Sequence, residues 1–132
     1  MSESTTLVTI MAATQREIYE AWLDSAGHSR MTGSHAIVNP VVGGKFSAWD
    51  GYIEGTTLEL QPYSRIVQAW RTSEFPPDSN DSHLEILLKK IDEDKTEVTV
   101  VHTEIPDGQA EDYRQGWEDF YFKPMLEYFG EE

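Results

Sequence analysis

The chain has 132 residues, 39% of them hydrophobic and 11% aromatic, with 24 acidic against 10 basic residues and a formal net charge of −14. That length is one domain, residues 1–132, able to bury about two-thirds of its unfolded surface. Cysteine is absent, which excludes a disulfide framework, a thiolate metal site and a cysteine nucleophile. The acidic balance argues against nucleic acid and anionic membrane as partners, since both need a positive face.

Residues 1–11 hold no basic segment followed by an apolar run, so neither a signal peptide nor a membrane span is expected, and the expected location is cytoplasmic. Residues 4–11 (STTLVTIM) alternate loosely and read as the first strand. Thr14-Gln15-Arg16-Glu17 fits a capping box, in which hydroxyl and carboxylate each satisfy the other residue's backbone N–H. The helix it opens carries Ile18, Ala21 and Trp22 at i, i+3, i+4 and ends near Ser25. Residues 27–33 read as an irregular connection or a second helical turn.

From His35 the period changes to two. Residues 35–38 and 45–49 are short strands separated by Gly43-Gly44, a turn or bulge. Asp50-Gly51 is a hairpin signal. Residues 52–60 return, with Thr56, Leu58 and Leu60 expected on one face, and Pro62 ends the strand. In residues 65–72, Ile66, Gln68 and Trp70 share a face. Residues 74–82 form a loop, where Asn80-Asp81-Ser82 marks exposed surface. A second hairpin pairs residues 83–91 with 96–105, and Val98, Val100 and His102 point one way.

Residues 107–129 read as a long amphipathic helix that Asp107 can cap. At 100° per residue, Tyr113, Trp117, Phe120, Tyr121, Pro124 and Tyr128 fall on one face, with Phe122 and Leu126 outside it. Pro124 lacks an N–H, so the helix should bend there. Phe122 and Leu126 are one candidate surface for self-association, giving a monomer or weak homodimer. Gly116 weakens the helix and permits close packing or motion. The whole is α+β: a curved antiparallel sheet of six to seven strands wrapped around the long C-terminal helix, with one or two short helices after strand one.

Four stretches carry a family resemblance: IYEAWLDSAGHSRMTG, VGGKFSAWDGYIEGTTLELQPYSRIVQAWR, HTEIPDG and GWEDFYFKPM. The sequence resembles the Activator of Hsp90 ATPase homologue 1-like family of the START/Bet v 1-like helix-grip superfamily. The resemblance implies seven strands gripping the terminal helix around a cavity that in the superfamily often takes hydrophobic small molecules. It also implies an Hsp90-type chaperone as an alternative partner. In the namesake co-chaperone such a domain follows a separate N-terminal domain, which this sequence does not contain.

Alternation directs Phe46, Leu58, Gln68, Trp70, Val100 and His102 inward from the sheet. Trp22 joins them from the first helix, and Tyr113, Trp117, Phe120 and Tyr121 from the last. These are the candidate ligand-binding residues, with Gln68 and His102 as polar groups to orient a guest. For each, the competing reading is plain core filling, and for His102 a satisfied core histidine. His28, His35 and His83 are assigned to the surface and show no metal-ligand spacing. No cofactor and no metal are expected. The function expected is non-catalytic binding of a small hydrophobic, lipid-like or aromatic molecule. The alternatives are a co-chaperone module acting on an Hsp90-like ATPase and a cyclase- or hydrolase-like enzyme, for which His102 with Tyr113 or Tyr121 is the one acid/base candidate.

Overall fold

The computed structural model describes residues 2–130. Seven strands form one sheet: β1 (Ser2–Met11), β2 (Ile37–Val38), β3 (Lys45–Ala48), β4 (Ile53–Gln61), β5 (Arg65–Thr72), β6 (Ser82–Asp92) and β7 (Lys95–Pro106). Their order is β1-β7-β6-β5-β4-β3-β2, and every neighbouring pair is antiparallel. β2 to β7 are thus a meander, and the crossover from β1 carries α1 (Gln15–Leu23) and α2 (Ser25–Thr32). Period-two alternation sets the buried face: Leu84, Ile86 and Leu88 lie opposite His102, Val100 and Val98, and all six side chains are buried.

The capping box forms as the sequence predicts. Glu17 N–H donates to Thr14 Oγ1 at 3.1 Å and Thr14 N–H to Glu17 Oε1 at 2.9 Å. Of the two readings of residues 27–33, an irregular connection or a second helical turn, the structure has the helical one: the Asp24 carboxylate accepts from Gly27 N–H at 2.8 Å and opens α2. That turn carries His28 inward, where it is buried rather than on the surface.

β4 departs from simple alternation. Its register against β5 shifts between Thr57 and Glu59, a bulge with Leu58 as the unpaired residue. Thr57 is therefore buried, while Leu58 faces solvent at 43% exposure. This corrects the inward placement of Leu58 and of Thr56, because one inserted residue moves side chains to the opposite face. Gly43 and Gly44 pair with Thr57 through Gly43 N–H to Thr57 O and Thr57 N–H to Gly44 O. On the same strand, a Cβ at Gly55 would lie 1.9 Å from Ala69 O and 2.7 Å from Phe46 Cζ, so the bare backbone is what admits the Phe46 ring.

The C-terminal helix runs as α3 (Ala110–Gly116), a π segment (Trp117–Phe122) and α4 (Lys123–Phe129). Its cap residue is Gln109, not Asp107, and makes no side-chain cap bond. Glu3 of β1 supplies the acceptor instead, its carboxylate taking Ala110 N–H at 3.1 Å. In the π segment Lys123 N–H donates to Glu118 O, five residues back. Pro124 can offer no α-type bond to the Phe120 carbonyl, so a wider turn preceding it removes the conflict. The wider turn also resets the helical phase. Phe122 and Met125 become buried, whereas Phe120 at 53% and Tyr128 at 45% exposure do not. The expected single stripe is thus broken, and Phe122, packed inside, cannot belong to an exposed self-association patch.

Candidate functional site

The centre of the grip is filled. Trp22, Trp70, Trp117, Tyr113, Tyr121, His28 and His102 pack together, with ring centroids 4.6 Å apart for Trp70 and His102 and 4.8 Å for Trp117 and Tyr121. Gln68 is not available to orient a guest. Its Oε1 accepts from Trp22 Nε1–H at 3.2 Å and its Nε2 donates to Thr57 Oγ1 at 3.1 Å.

The two buried histidines are opposite tautomers, fixed by their partners. His28 Nδ1 lies 2.9 Å from the Trp22 carbonyl, which can only accept, so Nδ1 carries the proton and Nε2 accepts from the Tyr121 hydroxyl at 2.9 Å. His102 Nδ1 accepts from Trp117 Nε1–H at 3.1 Å, so its Nε2 donates to Ser82 Oγ at 2.8 Å, and that hydroxyl donates to Trp70 O at 2.7 Å. Burial lowers both imidazoles' pKa values, His102 to about 3, with a smaller effect from His83. Both rings are neutral near pH 7 and fully hydrogen-bonded. His102 bonds neither Tyr113 nor Tyr121, so the acid/base pair considered for an enzyme is not assembled. Ser82, assigned above to an exposed loop, is buried within this chain of bonds.

The cavity among the aromatic residues lies beside the first half of the C-terminal helix, from Gln109 to Tyr121. It is partly open, about 530 Å³ in volume, and bounded by the β3–β4 turn and the start of β4 through Trp49, Tyr52 and Ile53. Trp70 of β5 and Glu74 in the turn after it close one side, and Asp112, Tyr113, Gly116, Trp117, Phe120 and Tyr121 the helix side, with Gln109 at the rim. Of the candidates from sequence, Trp70, Tyr113, Trp117, Phe120 and Tyr121 meet here. Trp22, Phe46, Gln68, Val100 and His102 are buried in the packed core, and Leu58 is outside. A larger hollow of about 1000 Å³ between α1, α2 and the end of α4 is a shallower trough with charged walls, including Glu17, Glu20, Asp24 and Arg30.

The rim is held by a closed ring of bonds. Glu74 N–H donates to Thr72 Oγ1 (3.1 Å), Thr72 to Tyr113 Oη (2.6 Å), Tyr113 to Gln109 Oε1 (2.8 Å), and Gln109 Nε2 to the Glu74 carbonyl (3.1 Å). Tyr52 Oη donates to the Glu74 carboxylate at 2.5 Å. Burial, followed by that bond to Glu74, raises the Tyr52 pKa; burial also raises Tyr113. Behind the rim Phe75 is buried, not part of a plain loop, with the Arg71 guanidinium 5.4 Å over its ring.

Three wall residues escape the periodicity argument. Trp49 has φ 53, an unusual backbone for so bulky a side chain, costing of order 1–3 kcal/mol. Its Nε1 is the one buried side-chain polar atom among the described residues without a hydrogen-bond partner. Such an orphan calls for an explanation. Gly116 has φ −62 and ψ −40, a helical conformation that any residue adopts. A Cβ there would meet nothing nearer than Phe120 Cδ2 at 3.8 Å. Neither backbone nor crowding requires this glycine. What its missing side chain provides is space in the cavity. Glu74 is the third, read from sequence only as part of a loop. The Asp50-Gly51 signal marks where Trp49 sits, but a turn has no inward face to read.

A bent seven-stranded antiparallel sheet closed by a C-terminal helix, with a hollow between them, is the helix-grip architecture of Bet v 1-like proteins. The family model for "Activator of Hsp90 ATPase homolog 1-like protein" matches residues 12–130, and the chain belongs to that family. It is 30% identical over 127 residues to the human activator of 90 kDa heat shock protein ATPase homolog 1, a match covering 95% of this chain and 36% of that protein. The chain thus spans about a third of that relative. Among solved structures, an HSP90 activator from Plasmodium falciparum superposes with TM-score 0.84 at 24% identity, covering 91% of each chain. CalU16 from Micromonospora echinospora gives 0.81 at 20%, covering 98% of this chain and 78% of that one. At such identities these two likenesses are of fold. No helix among the described residues is long and apolar enough to cross a membrane.

Proposed function

We propose that this domain is a binding protein that holds a small hydrophobic molecule with an aromatic body in the cavity beside α3. The observation that carries the reading is Gly116. A helix-interior glycine costs about 1 kcal/mol relative to alanine, and here the empty volume is its one structural consequence. The aromatic walls supply apolar area and flat faces. The unpaired Trp49 N–H supplies a donor that a guest bearing an acceptor would satisfy. Gln68 and His102, engaged with protein, are not the orienting groups, and neither are the Tyr52 and Tyr113 hydroxyls, which are bonded to Glu74 and to Thr72 and Gln109; the unpaired Trp49 N–H takes that role. The test is a titration of the protein with lipids and flavonoid-like compounds, followed by the indole N–H resonances of Trp49, Trp70 and Trp117. Selective shifts of these three over Trp22 support the reading, and no shift across both classes removes it.

The second reading is an interaction with an Hsp90-type ATPase, favoured by family membership and the similarity to the human activator. It needs a protein contact rather than a cavity. The chaperone's ATP turnover, measured with and without this chain, decides it: unchanged turnover with no co-purification ends that reading.

A further inference from the structure

The cavity wall has a charge pattern that narrows the guest. Its charged side chains are Glu74 and Asp112, both exposed carboxylates at the rim, and among the described residues no Lys, Arg or His lines it. Arg71, on the strand that carries Trp70, has its guanidinium committed to Asp81 Oδ1 and to the carbonyls of Ser79 and Pro76. No cation of the protein therefore balances the rim from that strand. Below the carboxylates lie the rings of Trp49, Trp70 and Trp117, whose faces attract positive charge. We propose, resting on the binding function argued above, that the guest is an organic cation: a flat apolar body bearing an ammonium or similar group that sits at the Glu74–Asp112 rim.

The aromatic rings and the rim carboxylates then each have a partner, and the Trp49 N–H is left for an acceptor atom elsewhere on the body. The body takes the aromatic depth, and the charge stays at the partly solvated mouth, where it need not lose its whole hydration. The rim carboxylates stabilise a cation, leave a neutral analogue unaffected and repel an anion. The net charge of −14 adds a longer-range preference of the same sign, screened beyond about 8 Å at physiological salt.

The experiment uses one body with three head groups: naphthylmethylamine, naphthylmethanol and naphthoic acid. Dissociation constants come from the tryptophan indole resonances of the intact chain at pH 7. The amine is expected to bind about tenfold more tightly than the alcohol and the alcohol more tightly than the acid, with the amine's advantage shrinking as salt rises. In the double variant Glu74→Gln/Asp112→Asn the amine-to-alcohol ratio should fall close to one. Glu93→Gln, in the distant β6–β7 turn, should leave that ratio as it was, separating the rim from net charge. Equal binding of amine and alcohol, tighter binding of the acid, or a ratio that survives the double variant would overturn the cation assignment while leaving a binding cavity. If none of the three compounds moves Trp49, Trp70 or Trp117, the cavity reading itself falls and the assignment with it.

Discussion

Gly116 offers a perturbation whose effects on folding and on binding have opposite signs. Its dihedrals are helical and an added Cβ stays 3.8 Å from the nearest atom, Phe120 Cδ2, so alanine enters without strain. The gain is the helix propensity difference, about 1 kcal/mol. For a chain of this size that is a rise in Tm of about 4 °C. Leucine should retain most of that gain while projecting into the 530 Å³ cavity. Binding of naphthylmethylamine should weaken about twofold in Gly116→Ala and more than tenfold in Gly116→Leu. Thermal unfolding by circular dichroism reads the first effect and the indole titration the second. A drop of several degrees in Gly116→Leu would show that the space is not there. A rise in Tm with undiminished binding would show that the space is not the site. Stabilisation bought at the expense of function is the trade expected where a residue is kept for the site and not for the fold.

Other expectations follow from single contacts. Gly55→Ala would drive a Cβ onto Ala69 O and the Phe46 ring, and backbone on the neighbouring strand cannot yield. The loss should be about 3 kcal/mol or more in urea unfolding; a loss under 1 kcal/mol would contradict the packing described. Trp49→Phe and Trp117→Phe form a contrasted pair. The first deletes a donor that has no partner and should change stability by about 1 kcal/mol or less. The second leaves His102 Nδ1 without its donor and should cost about 1–3 kcal/mol more; equal losses would refute the assignment of the orphan. Finally, burial lowers His102 to about 3 and shifts His28 in the same direction, against about 6.5 in the unfolded chain. Below pH 6.5 the unfolded state therefore takes up protons that the folded state refuses. Stability is full above 6.5 and falls toward acid by up to about 1.4 kcal/mol per pH unit for each ring. Urea midpoints between pH 7.5 and 5 should show this slope, and His28→Gln should flatten it; an unchanged slope in that variant would exclude the buried ring as its source.

Much of the architecture follows from local rules. Short turns between alternating runs force antiparallel neighbours, which is why β5 to β7 and their inward residues Gln68, Trp70, Val98, Val100 and His102 are readable from the chain alone. The Thr14–Glu17 box is equally local, its partners being three residues apart. Tertiary structure decides what depends on distant partners or on a broken period. The β4 bulge exposes Leu58, and the π segment exchanges Phe120 for Phe122, because a single extra residue resets a period that sequence analysis extends unchanged. His28 is buried because Trp22 O and Tyr121 Oη, the latter 93 residues away, satisfy it. Glu3 caps the last helix across 107 residues for the same kind of reason. The position of the hollow belongs to this second class. Periodicity tells which side chains face inward, but whether facing side chains meet is set by the distance between elements. Around Trp22, Trp70 and Trp117 they meet, and beside Gly116 they do not.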